Sequence, residues 1–260
     1  MNQLAPPFDA LAASYDASFT NTELGRRYRN AVWRRFAACF PPGGRVLELN
    51  CGTGADAVEL ARRGVSVLAT DIAPAMVERT AAKAAAAGLA DRVTTRVLDV
   101  ADLGQLVGEE PNFDGALSNF GGLNCVADLA AVAGDLAAVL RPGAKALVCL
   151  MGPYVPGEWL WFLAHGQPRK AARRLASPVL WHGVEIRYPS VGQAKRAFRP
   201  AFQVSRTWGL GGLLPPPAAE SCATRQPRLV ELLDTVERRF ETFPLLARLA
   251  DHYVLELVRL

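Results

Sequence analysis

The sequence predicts an α/β fold: a Rossmann-like, doubly wound three-layer αβα sandwich. Its sheet is mostly parallel and seven-stranded, with an antiparallel C-terminal strand and helical lid insertions. Three observations predict it. Through residue 151, short apolar runs alternate with helix-length segments, the pattern of βαβ units joined by right-handed crossovers. Residues 65–70 are almost wholly apolar, as a strand covered on both faces is. Two strand-like runs near the end, 202–210 and 252–260, are available to pair and complete the sheet.

Each element follows from local signals. Residues 23–40 read as a helix, with Val32, Trp33, Phe36 and Ala37 near helical spacing, stopped by Pro41-Pro42-Gly43-Gly44. Residues 45–49 form the first strand. Residues 55–63 form a helix with Ala57, Leu60 and Ala61 on one face, closed by Gly64. Residues 65–70 are the second strand. Pro74 suits the first turn of the next helix, which runs to Gly88. Residues 92–98 and 113–118 are the third and fourth strands. Residues 128–140 form a helix ended by Arg141-Pro142-Gly143, and 144–150 the fifth strand. Beyond residue 151 the pattern breaks at Gly152-Pro153 and Pro156-Gly157, and Trp159, Trp161 and Phe162 cluster. A short basic helix at 168–175, a strand at 184–188 and a helix at 191–198 follow. Pro215-Pro216-Pro217 is a stiff connector. In the helix at 228–240, Leu229, Leu232, Leu233, Val236 and Phe240 are spaced for one buried face.

The chain of 260 residues is expected to form one domain, 1–260. Residues 1–44 would be an N-terminal helical cap and 45–151 a ligand-binding core. Residues 152–200 and 213–250 would be lid insertions over the carboxyl edge, and 202–210 and 252–260 the closing strands. Half of the residues are hydrophobic and 21% are charged, which excludes disorder as the main state. The longest apolar run, 144–151, is strand-sized, far short of the roughly 18–20 residues of a membrane span. Residues 1–9 lack a charged and apolar leader pattern, so a cytoplasmic location is expected. Five cysteines are scattered without a CxxC pair, against a disulfide framework or a zinc site. The net charge of +4 is unevenly spread: residues 151–212 hold nine arginines and lysines against two glutamates. Such a segment can draw an anionic acceptor, an acidic membrane surface or nucleic acid, or be a solvated helical face.

The informative stretch is Val46-Leu47-Glu48-Leu49-Asn50-Cys51-Gly52-Thr53-Gly54. A strand ends in a loop of small residues, and a helix follows at once. Glycines let backbone approach a ligand closely, and the helix N-terminus favours negative charge or acceptors. Gly52-Thr53-Gly54-Ala55-Asp56-Ala57 also satisfies the dinucleotide fingerprint. Three acids sharpen the reading. Glu48 lies at the end of the first strand, Asp71 closes the second and Asp99 the third. A carboxylate at Asp71 can accept both ribose hydroxyls, and one at Asp99 can take an adenine amino group. Any one of them alone is more often a helix cap. Together they make an adenosine slot with no need for a pyrophosphate.

On these residues the chain resembles the class I S-adenosylmethionine-dependent methyltransferases, within the small-molecule branch that includes the ubiquinone/menaquinone-type enzymes. The resemblance covers roughly residues 10–151 and the end strands. It implies methyl transfer from S-adenosylmethionine to a small molecule by in-line displacement. Glu48, Asn50, Cys51, Gly52, Thr53 and Gly54 look like the family's first motif, in which the acid helps position the methionine end. Ala69-Thr70-Asp71-Ile72-Ala73-Pro74-Ala75-Met76 looks like the second, with Asp71 on ribose and Ile72 and Met76 flanking adenine. Asp99 and Val100 look like the third. Asn119 and Phe120 stand in the loop beside the transferred methyl, and Tyr15 resembles a tyrosine that covers the cofactor. Asn50 departs from the family's glycine, and asparagine tolerates the left-handed backbone needed there.

The acceptor pocket is expected above residues 119–124 and under the insertion. Asn124, Trp159, Trp161, Trp181 and Tyr188 are its candidate residues, suited to an apolar or aromatic metabolite, possibly anionic. They are equally suited to the lid's own core. Of His165, His182 and His252, His182 is the candidate base, on the lid after Trp181. Residues 118–121, Ser-Asn-Phe-Gly, lack the prolines of amino-methylating nucleic-acid enzymes. An RNA methyltransferase and an inactive cofactor-binding or partner protein are the alternatives. A monomer or homodimer without a metal is expected.

Overall fold

The computed structural model describes residues 5–108 and 112–260; the first four residues of the expected N-terminal cap lie outside them. Helix α1 (Ala5–Ala12) leads through one π-helical turn (Asp16–Thr20) to α2 (Glu23–Cys39). Thr22 caps α2 by accepting the Gly25 N–H at 3.0 Å. Tyr28, Val32 and Phe36, spaced one turn apart, are fully buried on the sheet. Each such side chain contributes about 1.5–3 kcal/mol relative to exposure.

The core then alternates as expected: β1 (Arg45–Leu49), α3 (Ala55–Arg62), β2 (Ser66–Asp71), α4 (Pro74–Ala86), β3 (Val93–Val97), a 3₁₀ segment (Val100–Leu106), β4 (Phe113–Ser118), α5 (Leu129–Val139) and β5 (Leu140–Met151). Beyond them come α6 (Pro156–Ala164), α7 (Pro168–Ala172), a hairpin of β6 (Val179–Trp181) and β7 (Val184–Ile186), and α8 (Val191–Phe198). The chain ends with β8 (Phe202–Leu210), α9 (Glu220–Arg225), α10 (Pro227–Phe240), α11 (Pro244–Leu249) and β9 (His252–Arg259).

Seven strands form one sheet in the order β3-β2-β1-β4-β5-β9-β8. The first five are parallel, and β9 runs antiparallel to both β5 and β8. Leu47 sits beside Leu68 on one side and Ala116 on the other. Alternation along each strand feeds two cores. Val46, Val67, Leu117 and Leu147 pack under α2 and α3, with Ala84 of α4. Leu47, Leu68, Ala116 and Val148 pack under α5 and α8. The winding reverses between β1 and β4, so a crevice opens beyond their carboxyl ends.

Two expectations are corrected. Helix α8, read as lid, belongs to the sandwich, with Ala194 and Phe198 buried against the core of α5. Helix α10 is rotated relative to its apolar spacing, and of the five spaced residues Leu233 alone packs against the core. Leu229, Leu232, Val236 and Phe240 face solvent, while Val230, Asp234 and Glu237 are buried. The reason is polar demand beneath the helix. Glu237 accepts the backbone N–H groups of Gly211, Leu213 and Leu214 at 2.7, 2.8 and 3.2 Å. Asp234 accepts Arg27 of α2 at 3.3 Å. Each of these buried N–H groups would cost about 1–3 kcal/mol without its acceptor. Among the described residues, no helix is long and apolar enough to cross a membrane.

Candidate active site

The loop after β1 is held in a left-handed course. Asn50, Gly52 and Gly54 have φ of 55°, 55° and 77°, values that favour glycine and asparagine. Space for Asn50 comes from Gly122, where any Cβ would lie 2.3 Å from that of Asn50. Gly54 is packed on α4, since a Cβ there would meet Thr80 at 2.6 Å. Gly52 is open, and its Cβ position has only the Tyr15 ring within reach, at 3.9 Å.

The three strand-end acids differ. Asp71 accepts the Gly52 N–H at 2.9 Å and the Ala73 N–H at 3.0 Å, joining the loop to the start of α4. Burial raises its pKa against those two bonds and that from the Ile72 amide. Glu48 is buried, and burial with nearby Asp56 pushes its carboxyl well up, against the pull of Arg29. Asp99 caps the 3₁₀ segment by accepting the Ala101 N–H at 3.0 Å. Thr53 donates to Asp16 at 2.5 Å, and Lys83 reaches Asp16 at 2.8 Å. This clasp ties the N-terminal segment over the loop. Cys51 is buried, with Sγ 3.5 Å from Thr80 Oγ1.

Ile72 stands half-buried at the edge. Met76 lies under α1 with Ala12 and Ala73. Val100 packs into the core with Leu98 and Leu103. After β4, Asn119 donates to Asp56 at 3.0 Å, and Arg29 and Trp33 donate to the same carboxylate at 2.7 and 2.6 Å. This buried network supports Phe120, whose φ is 50° and whose ring lies 4.8 Å from the Arg29 guanidinium.

S-adenosylmethionine fits these residues. Glu48 Oε2 and Asn50 Oδ1 are buried acceptors without a partner, both at the end of β1. The surface of Gly52 beside them is free for close approach.

A cavity of about 340 Å³ is linked to this loop through Tyr15, whose ring is 3.9 Å from the Gly52 Cβ position; residues 48–54 do not line it. Tyr15, Phe19, Phe120 and Phe162 supply aromatic walls, and Pro216, Pro217 and Ala218 close one side. Phe19 and Phe120 meet edge to face at 5.1 Å. Its polar wall is Glu158, Arg173, Arg174, Asp251 and His252. Arg174 donates to Glu158 at 2.6 Å and to Asp251 at 2.5 Å. His252 Nδ1 lies 3.0 Å from Asp251 Oδ2, and its ring stands edge-on to Phe120 at 5.7 Å. Arg174 and His252 hold the Asp251 carboxyl far below its usual range against the opposing effect of burial.

The expected acceptor residues are not brought together here. His182 is exposed at the β6–β7 turn, with its ring against Trp181 at 4.6 Å. The histidine on the cavity is His252. Trp181 packs on Phe8 at 5.9 Å, and Trp161 stacks on His165 at 4.1 Å. Neither they nor Trp159 line the cavity; their place on the wall is taken by Phe162. Asn124 is fully buried, and its amide is consumed. It donates to the Met151 and Arg187 carbonyls at 3.0 and 2.5 Å and accepts the Met151 N–H at 2.9 Å. It ties the end of β5 to the exit of the hairpin. Tyr188 stands behind Arg174, its ring 5.2 Å from the guanidinium. Phe19, Met151, Glu158, Arg173, Arg174 and Asp251 were not singled out from the sequence. The one signal was Asp251-His252 at the head of the last strand: an antiparallel β9 begins at the edge where β5 ends, and Met151 does pair with His252.

Residues 46–143 match the family described as a methyltransferase domain. The chain is 33% identical over 152 residues to the demethylmenaquinone methyltransferase of Mycolicibacterium gilvum, covering 57% of this chain and 60% of that protein. The corresponding enzyme of Mycobacterium marinum is 35% identical over 150 residues, covering 56% and 58%. The matches thus span about three fifths of these relatives' length. Among solved structures, the cyclase SpnF superposes with a TM-score of 0.65 at 18% identity, over 99% of this chain and 95% of that one. The geranyl diphosphate C-methyltransferase of Streptomyces coelicolor superposes with a TM-score of 0.58 at 14% identity, over 89% and 75%. Residues 46–143, which run from β1 into β5 and include the strand-end loop, are thus similar to a methyltransferase domain.

Proposed function

We propose that this chain transfers a methyl group from S-adenosylmethionine to a small apolar or planar acceptor carrying an ionisable hydroxyl or acidic carbon, by in-line displacement. The observation that carries the reading is the contact of two unlike halves. A glycine loop with unpartnered buried acceptors at Glu48 and Asn50 is linked through Tyr15 to an aromatic cavity lined by Asp251 and His252. The bound cofactor supplies an electrophilic sulfonium methyl. The chain's residues do the rest. Tyr15, Phe19 and Phe120 exclude water and orient the acceptor, and holding reactants in line can supply about 7–11 kcal/mol.

His252 takes the acceptor's proton. Asp251 Oδ2, 3.0 Å from Nδ1 but outside hydrogen-bond geometry, stabilises the imidazolium once formed. Arg174 keeps Asp251 ionised. Arg173 stands at the rim, 5.2 Å over Phe162 and 3.1 Å from Glu158, where it can also meet an anionic group on the acceptor. The likeness to demethylmenaquinone methyltransferases supports an aromatic, lipophilic acceptor.

Calorimetric titration of the purified chain with S-adenosylmethionine, S-adenosylhomocysteine and NADH tests the cofactor. Micromolar binding of the two adenosyl compounds without NADH is expected; NADH alone would overturn the reading. Transfer of labelled methyl to a panel of hydroxylated aromatic and prenylated compounds then tests the reaction. Cofactor binding with no transfer to any member would favour a non-transferring binder.

A further inference from the structure

Residues 15–20 touch both halves of the site. Asp16 faces the glycine loop: it accepts Thr53 Oγ1 at 2.5 Å and Lys83 Nζ at 2.8 Å, and Lys83 also reaches Thr53 at 3.2 Å. Tyr15 and Phe19, one turn apart, line the cavity, with ring centroids 5.9 Å from each other. The Tyr15 ring is also the group within reach of the open Gly52 face, at 3.9 Å. A ligand seated on that face therefore meets the same segment that walls the cavity.

The segment is anchored on three sides. Downstream it is fixed on α2: the Phe19 carbonyl accepts Thr22 Oγ1 at 2.8 Å, and Thr20 accepts Arg29 at 3.2 Å. Upstream, α1 lies on the start of α4, where Asp9 accepts the Ala75 N–H at 2.9 Å. Neither anchor involves the loop. Among the described residues, the Thr53–Asp16 bond is the hydrogen bond that joins the segment to residues 50–54. Lys83 and Asp16 are 30% and 29% exposed, and ion pairs so exposed add little to global stability. Tyr15 and Phe19 are half-buried, and they pack on groups of the site: each other, Gly52 and Phe120. Their placement answers to the loop through Asp16.

We infer that Asp16 is a positioning residue: clasped by Lys83 and Thr53, it ties the Tyr15–Phe19 wall to the glycine loop, so that cofactor on the loop orders the wall and raises the cavity's affinity for a planar acceptor. The inference rests on the proposed cofactor and acceptor sites. Coupling between two bound ligands is reciprocal, so the acceptor strengthens cofactor binding by the same factor.

The test is titration of the full chain with S-adenosylhomocysteine by calorimetry and with 2-naphthol, a planar hydroxylated probe, by fluorescence, each alone and with the other at saturation. The unmodified chain should bind each about tenfold more tightly when the other is present. D16A and K83M should bring that factor below about twofold, and K83R should restore it. Thermal midpoints should stay within about 3 °C. Amide exchange in residues 15–20 should slow on adding S-adenosylhomocysteine, but not in D16A. D9A loosens α1 on α4 and leaves the clasp, so it should keep the coupling; a merely structural tether would lose it in D9A as in D16A. Absent 2-naphthol binding, equal binding with and without S-adenosylhomocysteine, or coupling that survives D16A overturns the inference. So does equal loss in D9A. Binding of S-adenosylhomocysteine without coupling removes this inference alone and leaves the cofactor reading standing. No binding of S-adenosylhomocysteine overturns both.

Discussion

Arg174→Leu tests the polar wall of the cavity most directly. One guanidinium serves two carboxylates, and all three side chains are nearly water-free, at 4%, 3% and 2% exposure for Arg174, Glu158 and Asp251. Arg174 also donates to the carbonyls of Gly152 and Asp251 at 3.2 and 3.1 Å. Leucine removes the shared cation, leaving Asp251 with His252 alone and Glu158 with only Arg173, at 3.1 Å. Breaking a buried pair costs about 3–5 kcal/mol. For a chain of this size that is a drop on the order of 10 °C in the thermal midpoint.

The pH dependence follows from the sign of the shift. In the native protein the Asp251 pKa is lowered, so its contribution is present above the unfolded value of about 3.9 and is lost as pH falls through the folded value. In the variant, burial acts with only His252 to oppose it, and the folded pKa rises. The variant therefore loses stability as pH rises. The gap between the two proteins is widest near neutrality and narrows toward about pH 5. Circular dichroism melts at the two pH values measure it. Adding Glu158→Gln to the variant should recover about 1–2 kcal/mol, because one stranded charge is removed. A loss under about 1 kcal/mol, or the same loss at both pH values, would refute the buried-network reasoning.

Three further outcomes are expected. His252→Asn should lower kcat about 10²–10⁴-fold, with cofactor affinity in calorimetry changed little; an equal loss of both would remove His252 as the base. Gly54→Ala combines a φ of 77° with a Cβ 2.6 Å from Thr80, a strain of about 1–3 kcal/mol, and should weaken S-adenosylmethionine binding tenfold or more by calorimetry; undiminished binding would separate this loop from the cofactor. Asn124→Ala strands the Met151 and Arg187 backbone groups and should cost about 1–3 kcal/mol by chemical denaturation, with cofactor affinity unchanged.

What the sequence made legible is what lies close together along it. The first-motif loop, residues 48–54, carries its own backbone demands in its glycines and Asn50. The acids at Asp71 and Asp99 sit one strand further on each time, so a parallel sheet brings them to one edge wherever the helices pack. The cavity's polar wall has no such locality. Glu158 and Arg174 meet Asp251 across 93 and 77 positions, and no spacing rule relates them. Aromatic density drew attention to Trp159, Trp161 and Trp181, but density does not say which way a ring turns. On α6, Phe162 points inward because it shares a face with Glu158.

Two misreadings have a common physical source. Apolar spacing on α10 identifies a helix and an amphipathic face, but it does not say which face the rest of the chain can use. The peptide groups at 211–214 need an acceptor, so Glu237 turns inward with Asp234 beside Arg27, and Leu229 and Leu232 turn outward. Likewise, His182 follows a tryptophan on a segment that looks like a lid, whereas His252 looks like the start of an edge strand. Strand direction decides between them. A final strand antiparallel to β5 must begin at the carboxyl edge, which puts His252 beside Phe120 in the loop after β4. The same turn that starts β9 is gripped by Arg174 from the lid. Arg174 from the lid thus binds the carboxylate that stands 3.0 Å from His252, so lid segment and histidine share one acid.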